Sequence, residues 1–369
     1  MRILLVSHVA PPHIGGVENL VLMEAEGLAE AGHEVTWLTS DAGGAGGEVP
    51  ANARLRVVRV AAWHLPERRF GVAYPLFAPS LWWHLWRQVS RADLVHVHGL
   101  VFLGSPLAAL FARLRKKRVV CTDHGGLLRF RSRFATLLLR VVMATLGRVT
   151  ARCAHKLIAY NHDVEALLVR LAGRRDKVQF LPNPVDASQF RPPTAAERQA
   201  ARAALGWDDR PRVLCVSRLV PHKIDVLLQA NDPGYELVFC GPGDGAAQRR
   251  IRDRGASCLA ARPRRQVVDL YHAADAFALP SHNEGFPVAI QEALACGLPV
   301  VCSDLPAYAA YRGTPGLHLC EPTPEAVRRA LQEVLAARGA ATRPPANCGR
   351  AHWLDELCRP AHDAAEGVA

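Results

Sequence analysis

The feature that most constrains the fold is a repeated alternation of short apolar runs with stretches of helical periodicity. Near the N-terminus, Ile3–Ser7 is predicted to be a buried strand, and Glu18–Ala31 carries apolar residues at helical spacing before Gly32. Val35–Thr39 is the next predicted strand. Buried strands that alternate with helices are typical of βαβ units, which form a parallel sheet with right-handed crossovers. We therefore expect an α/β protein.

The same alternation continues in two series along the chain. The first series adds predicted strands at Leu55–Val60, Leu94–His98, Arg118–Thr122 and Lys156–Tyr160. The second series follows a Pro-rich stretch and contains Arg212–Ser217, Glu236–Cys240, Ser257–Ala260, Ala276–Pro280 and Pro299–Cys302. A chain of 369 residues is long enough for two domains. We predict two doubly wound domains, 1–188 and 189–351, that face each other across a cleft, because such sheets bind ligands beyond the carboxyl ends of their strands.

The positive charge of the chain is unevenly distributed. The net charge is +11, yet residues 1–188 hold 24 basic and 14 acidic residues, whereas residues 189–369 hold 21 and 20. A uniformly basic nucleic-acid binder would not separate its charge in this way, and no nucleic-acid-binding motif accompanies the basic half. We therefore expect no nucleic-acid partner.

Cysteine usage and hydropathy bear on the compartment and on metal binding. Ten cysteines are too few for a disulfide-built scaffold, and no CxxC pair suggests structural zinc. The start, MRILLVSHVAPPHIGG, lacks the apolar stretch and cleavage site of a signal peptide, and no segment offers ~20 apolar residues without charge or proline. We expect a reduced, cytoplasmic protein, either free or on a membrane surface, without a bound metal.

Two glycine-rich segments follow predicted strands. Gly15 and Gly16 lie between the first strand and the first helix, where glycine lets backbone N–H groups approach an anion at a helix N-terminus. A tight turn without a ligand is the alternative. Gly241 opens a second segment, directly after the predicted strand Glu236–Cys240, where the backbone could pass close to a ligand.

Two cations follow the first strand of the second domain. Arg218 and Lys223 come directly after Arg212–Ser217. The arginine fork and the lysine point charge can both neutralise a diphosphate at the carboxyl end of a parallel strand. The alternative is a pair of solvated surface cations.

The most specific segment runs from Pro280 to Val301. A predicted strand ends at Pro280, a glycine-containing turn follows, and a helix is predicted to end at Cys296. Glu284 lies at the turn and Glu292 lies eight residues later, which is two turns along a helix. These two side chains could therefore reach two ends of one elongated ligand, with the helix N-terminus facing its phosphates. A hydrolase would also use two carboxylates, but their helical spacing and the nearby cations argue against hydrolysis.

This segment resembles the E-x7-E motif of retaining glycosyltransferases of family 4, which have the GT-B fold. The resemblance extends in order along nearly the whole chain. It includes the Gly15-Gly16 loop, Leu94–His98 with Gly99, Thr122–His124, Asn183–Asp186, Ser217-Arg218 with Lys223, and Leu270–Asp275. It implies transfer of a sugar from a nucleotide-sugar donor, UDP- or GDP-linked, with no metal or other cofactor. The departing diphosphate is where transition-state stabilisation would concentrate.

The resemblance also implies roles for individual residues. The residues at the reaction centre would be His124, Glu284, Arg218 and Lys223. The donor would be bound by Gly15, Gly16, Arg218, Lys223, Gly241, Glu284, Gly285, Phe286, Pro287, Val288 and Glu292. Within this set Arg218 and Lys223 would bind the diphosphate, and Glu292 would bind the ribose. The C-terminal segment 352–369 resembles the last helix of the family, which returns to the N-terminal domain.

The acceptor is suggested by two segments of the first domain. Between Arg113 and Lys156 there are 12 basic residues and one acid, Asp123, whereas Phe70–Trp86 has no charged residue and contains Trp82, Trp83 and Trp86. Basic charge beside exposed aromatics favours anionic lipid, so we expect a lipid or lipid-linked acceptor at the inner membrane surface. Alternatively, these aromatics belong to the core, and the acceptor is soluble, such as a cyclitol, an aminoglycoside or another natural product.

One alternative comes from another functional class. Family members usually have glycine directly after the lysine that aligns with Lys223, and this chain has Ile224 there. A non-catalytic, glycosyltransferase-like partner at the membrane surface is therefore also considered.

Overall fold

The computed structural model divides the chain into two compact units. Unit 1 comprises Met1–Asn183 and the segment that begins at Arg350, and unit 2 comprises Pro184–Gly349. The sequence predicts this division between residues 188 and 189. The structure describes residues 1–13, 15–41, 49, 52–65, 74–124, 133–262, 264–282, 285, 287–337, 342–345 and 347–359.

Unit 1 is built on a seven-stranded parallel sheet with the strand order β3-β2-β1-β6-β7-β8-β9. Its strands are β1 (Arg2–Val6), β2 (Glu34–Ser40), β3 (Leu55–Val60), β6 (Leu94–His98), β7 (Arg118–Thr122), β8 (Lys156–Ala159) and β9 (Val178–Phe180). A separate antiparallel pair consists of β4 (Ala62–Trp63) and β5 (Leu76–Phe77). The six strands predicted from the sequence are present, and β9 was not predicted.

The helices of unit 1 connect these parallel strands. They are α1 (Gly16–Glu30), α2 (Ser80–Arg91), α3 (Gly104–Leu114), α4 (Arg133–Val142), a π-helical turn (Met143–Gly147), α5 (Arg148–Cys153) and α6 (His162–Ala172). The helix α13 (Arg350–Cys358) joins them from the far end of the chain, and its Trp353 lies in the core with Trp37 of β2. Arg350 forms an ion pair with Glu30 of α1, so α13 is held at both its buried face and its first turn.

Unit 2 repeats the architecture with a six-stranded parallel sheet of order β12-β11-β10-β13-β14-β15. Its strands are β10 (Arg212–Val216), β11 (Glu236–Cys240), β12 (Ser257–Leu259), β13 (Ala276–Leu279), β14 (Val300–Ser303) and β15 (Leu317–Cys320). Its helices are α7 (Ala195–Leu205), α8 (Pro221–Gln229), α9 (Gly245–Asp253), α10 (Arg264–Ala273), α11 (Val288–Ala295), a 3₁₀ helix (Pro306–Tyr311) and α12 (Pro324–Ala336). The five strands predicted for this half are present, and β15 was not predicted.

Each sheet has a point at which the strand order reverses. In unit 1 this point lies between β1 and β6, and in unit 2 it lies between β10 and β13. Because all strands of each sheet are parallel, the loops after these strands emerge at one edge, where ligands of open α/β sheets bind. Among the described residues, no helix combines the length and the apolar character needed to cross a bilayer.

Candidate functional site

The loops after β10 and β11 are joined backbone to backbone. The N–H of Ser217 donates to the carbonyl of Cys240, and the N–H of Leu219 donates to the carbonyl of Pro242, at 3.1 and 2.8 Å. Gly241 has φ +152°, and a Cβ there would collide with the carbonyl oxygen of Ser217. Glycine is therefore required by the chain's own packing at this position. Its predicted contact with a ligand stays a prediction.

The two predicted cations lie at the edge of the unit 2 sheet where the carboxyl ends of its strands emerge. Arg218 is exposed in the loop directly after β10, and Lys223 is half-buried in the first turn of α8. No ion pair or hydrogen bond of the Arg218 guanidinium is found within the described chain, so this group is available to an anionic ligand. Both cations stand beside the point where the sheet order reverses.

The segment after β13 differs in part from its prediction. Glu284 and Phe286 lie outside the described residues, whereas Gly285 is a half-buried bend and Pro287 is the N-cap of α11. The helix begins at Val288 because Pro287, with ψ 141°, is extended and caps the helix from outside. Glu292 therefore lies one turn into the helix, and the two helical turns predicted between Glu284 and Glu292 are wrong.

Glu292 is a buried carboxylate with a fixed orientation. Its side chain is 8% exposed, and the hydroxyl of Tyr271 on α10 donates to its Oε2 at 3.0 Å. Tyr271 is itself fully buried and packs against Phe277 of β13. A rigid carboxylate on the helix that follows β13 is suited to accept hydrogen bonds from a ligand's hydroxyl groups.

Asp275 of the Leu270–Asp275 motif has a structural role that the sequence did not reveal. Its carboxylate accepts from the guanidinium of Arg198 at 2.7 Å and from the backbone N–H of Arg212 at 2.9 Å. It also forms an ion pair with Arg202 at 3.2 Å. Asp275 thereby ties α7 to the start of β10, at the edge opposite the candidate site.

The corresponding edge of unit 1 contains the first glycine pair. Gly15 is the extended N-cap of α1, and Gly16 is the first residue of that helix, with no neighbour among the described residues where a side chain would stand. The buried carboxylate of Glu18 lies against Gly15 and forms an ion pair with His13 at 2.6 Å. Sequence reasoning missed Glu18, although an acid in the first turn of a helix is a usual partner of its N-terminus.

His124 lies at the same edge of unit 1, in contact with His98 and Tyr160. Its Nε2 lies 3.1 Å from Nδ1 of His98, and its backbone carbonyl accepts from the hydroxyl of Tyr160 at 2.7 Å. Burial, followed by the nearby His98, His96 and His8, lowers the pKa of His124 well below its usual value. His124 is therefore a neutral imidazole at pH 7.

The tryptophans of α2 form a largely exposed surface, with Trp82 and Trp86 each packing one side against Phe111 of α3. Trp82, Trp83 and Trp86 are 55%, 58% and 45% exposed, and we call them, with Leu110 and Leu114 of α3, the tryptophan face. Arg115 covers the ring of Trp86, with its guanidinium carbon 3.9 Å from the ring centroid. The alternative that these aromatics belong to the core is wrong.

The predicted site residues are divided between the units. Arg218, Lys223, Gly241, Gly285, Pro287, Val288 and Glu292 lie in unit 2, and Gly15, Gly16 and His124 lie in unit 1. Within each unit they gather near the carboxyl ends of the strands at the reversal point. Two such units define a class of proteins with two doubly wound α/β domains.

Comparison with known proteins identifies the family. The model for "Glycosyltransferase Family 4" matches residues 14–189, and the model for "Glycosyl transferases group 1" matches residues 197–349. The fold is that of GT-B glycosyltransferases: the Anabaena protein HepE, solved with UDP and glucose, aligns over 99% of both chains with a TM-score of 0.70 and 16% identity. The chain belongs to glycosyltransferase family 4.

Two curated relatives illustrate the range of the family. D-inositol 3-phosphate glycosyltransferase of Mycolicibacterium gilvum is 33% identical over 221 residues, which is 53% of this chain and 49% of that protein. GDP-mannose:cellobiosyl-diphosphopolyprenol alpha-mannosyltransferase of Xanthomonas oryzae pv. oryzae is 27% identical over 260 residues, covering 66% of this chain and 64% of that protein. The chain spans about half the length of the first of these relatives.

Proposed function

We propose that this chain is a retaining glycosyltransferase that moves a sugar from a UDP- or GDP-sugar to an acceptor hydroxyl without a metal or other cofactor. The observation that carries the proposal is Glu292, buried and oriented by Tyr271 on the helix after β13. The neighbouring strand β10 ends beside Arg218 and Lys223. Ribose on the carboxylate and diphosphate on the cations fit one extended ligand.

The cations also supply the chemistry that the reaction needs. Departure of the nucleoside diphosphate develops negative charge on its leaving oxygen, and fixed positive groups stabilise that charge most in the transition state. Arg218 offers a two-pronged donor and Lys223 a point charge at the first turn of α8, whose dipole adds to them. Metal independence stays a prediction that this arrangement supports, and retention stays a prediction that rests on the family resemblance.

The donor site is tested by calorimetry against UDP, GDP, ADP, CDP and dTDP in buffer containing a metal chelator. We expect micromolar binding of one nucleotide and its loss in Glu292→Ala. Retention is read by NMR from the anomeric configuration of the product formed from the matching nucleotide sugar. If no nucleotide binds to the folded chain, the donor site is refuted and the non-catalytic alternative becomes the better account.

The tryptophan face favours an acceptor at an anionic membrane surface. Neither α2 nor α3 contains an acidic residue, and Arg87, Arg91 and Arg113 are exposed along them. Tryptophan rings beside arginine guanidinium groups combine apolar area with positive charge, and a surface of this kind binds membranes with anionic headgroups. The acceptor proposed from this surface is a lipid or a lipid-linked sugar, and the predicted cytoplasmic location stays a prediction.

Vesicle co-sedimentation tests this acceptor class. The chain should bind phosphatidylcholine vesicles that contain phosphatidylglycerol, and it should bind pure phosphatidylcholine vesicles weakly. Trp83→Ser and Trp86→Ser should each reduce binding, and added salt should reduce the charge-dependent part. Equal behaviour of wild type and both variants on every vesicle would refute a membrane role for this face.

A soluble acceptor is the second candidate, favoured by the similarity to the D-inositol 3-phosphate glycosyltransferase of Mycolicibacterium gilvum. Once the donor is known, radiolabelled transfer to soluble inositol phosphate and to phosphatidylinositol in vesicles separates the two candidates. Transfer to the soluble compound by a protein that does not bind vesicles would favour this second candidate.

A further inference from the structure

A buried cluster in unit 1 joins α1 to the ends of β6 and β7. Glu24 of α1, His96 and His98 of β6 are each 0% exposed. Glu24 Oε1 lies 2.6 Å from Nδ1 of His96, and Glu24 Oε2 lies 3.2 Å from Nε2 of His98. Burial of a carboxylate on the face of a helix lowers the stability of the fold unless the carboxylate is paired, so the presence of Glu24 here points to a role.

The contacts of the cluster indicate which ring nitrogens of His98 and His124 carry a proton. His96 completes its bonding with the hydroxyl of Thr122, which lies 2.9 Å from its Nε2. Neither Glu24 Oε2 nor His98 Nε2 has a hydrogen-bond partner elsewhere in the described chain, so the N–H on His98 Nε2 faces the carboxylate. His98 Nδ1 then carries the lone pair and accepts from His124 Nε2, 3.1 Å away.

The charges of the cluster agree with this direction. Burial raises the pKa of Glu24, but the charges of His96 and His98 and their hydrogen bonds outweigh it and lower that pKa to about 2. Burial and the neighbouring His96 lower the pKa of His98 to about 4. At pH 7 the cluster therefore holds an ionised carboxylate and a neutral His98.

A metal ion explains these distances less well. Glu24, His96 and His98 could each offer one ligand atom, and those atoms lie within 4.8 Å of one another. However, two ligands at ~2.1 Å from a tetrahedral zinc ion are about 3.4 Å apart, whereas Glu24 Oε1 and His96 Nδ1 are 2.6 Å apart. That separation is a charge-assisted hydrogen bond.

We propose that Glu24, acting through His98, is a positioning residue that holds the proton of His124 on Nε2 and leaves Nδ1 of His124 as an acceptor toward the bound substrate. A carboxylate that fixes a histidine tautomer through its far nitrogen is a known way to orient a reactive imidazole. Here the orientation passes through a second imidazole, whose ring is within 7° of parallel to that of His124. The expected effect on catalysis rests on the proposed function, whereas the predicted tautomer of His124 is independent of that function.

The first test reads the tautomers directly in protein carrying ¹⁵N-labelled histidine, without any substrate. Long-range ¹H–¹⁵N correlation should show His124 protonated on Nε2 in the wild type. In Glu24→Leu, His98 loses its acceptor, so its proton should move to Nδ1 and His124 should become protonated on Nδ1. Thr122→Val, the matched control, removes the partner of His96 and should leave His124 unchanged.

The second test uses turnover and separates orientation from simple damage to the fold. Glu24→Leu should lower kcat by about tenfold, the scale of one charge-assisted hydrogen bond, and leave the nucleotide Kd unchanged. If Glu24 acts through His98, the double variant Glu24→Leu/His98→Ala should be no slower than His98→Ala alone. His98→Ala also keeps the kinetic test available if Glu24→Leu does not fold.

Three outcomes would overturn the proposal. An unchanged His124 tautomer in folded Glu24→Leu would refute the relay, and additive losses in the double variant would do the same. Stoichiometric zinc in purified wild type that is lost in Glu24→Leu would show that the cluster is a metal site. Absence of transferase activity with the expected tautomer change would refute the proposed function alone.

Discussion

The most informative perturbation of the donor site is Glu292→Gln, because it removes a charge and keeps the shape of the side chain. The glutamine oxygen can still accept from Tyr271, which lies 3.0 Å from Oε2 in the wild type. At 8% exposure, solvent screens the carboxylate little, so a hydrogen bond from a ribose hydroxyl contributes about 1.5–3 kcal/mol. The variant should therefore bind its nucleoside diphosphate about 10- to 150-fold more weakly.

A thermodynamic cycle isolates this contact from general damage. Calorimetry would compare the preferred nucleotide with its 2′-deoxy and 3′-deoxy forms, in wild type and in Glu292→Gln. Loss of the contacted hydroxyl should weaken wild-type binding and leave the variant nearly unaffected. Glu236→Gln is a matched control, because Glu236 bonds Ser257 at 2.5 Å and lies at the amino end of β11. If removal of the ribose hydroxyl weakened binding equally in all three proteins, the assignment of Glu292 to the ribose would be refuted.

Three further predictions concern the framework of the two units. Burial lowers the pKa of His98 from 6.5 to about 4. Between these two pH values His98 binds a proton in the unfolded chain but not in the native chain, so the native chain loses stability as the pH falls from 6.5 to 4. At about 1.4 kcal/mol per pKa unit, urea titrations should show about 3 kcal/mol of acid loss in the wild type that His98→Asn lacks; parallel curves would contradict it. Gly241→Ala should destabilise unit 2 by more than 1 kcal/mol, because its Cβ meets the Ser217 carbonyl, and a wild-type thermal midpoint would refute that clash. Asp275→Asn should lower the urea midpoint through loss of its ion pair with Arg198, and an unchanged midpoint would show that Asp275 contributes little.

Much of the fold could be predicted because buried parallel strands have a local signature. Central strands such as Ala276–Leu279 are buried at every position, and every residue along them is apolar. Among the strands of the two parallel sheets, the two that were not predicted are Val178–Phe180 and Leu317–Cys320, which lie at the ends of their sheets and are only partly buried. An edge strand has fewer neighbours, so its sequence carries a weaker pattern.

The candidate donor site could be predicted in part for a similar reason. Arg218, Lys223 and Glu292 each follow a strand in the sequence, and parallel strands bring such positions to one edge. The sequence predicted the end of α11 at Cys296 but gave no start for it, and the helix begins at Val288, directly after Pro287. The close approach of Gly241 to Ser217 depends on the register of β10 against β11, which no single segment reveals.

The sequence by itself determined the α/β class, the two series of strands and the family motifs, because each of these depends on residues that are close together along the chain. Only the tertiary structure decided what Glu24 contacts. From the sequence it is one more acid on a helix, and it meets His96, 72 residues away, because the sheet places β6 beside β1 under α1. The strand order that brings β7 beside β6 then puts His124 within reach of His98, and a local pattern cannot encode that order.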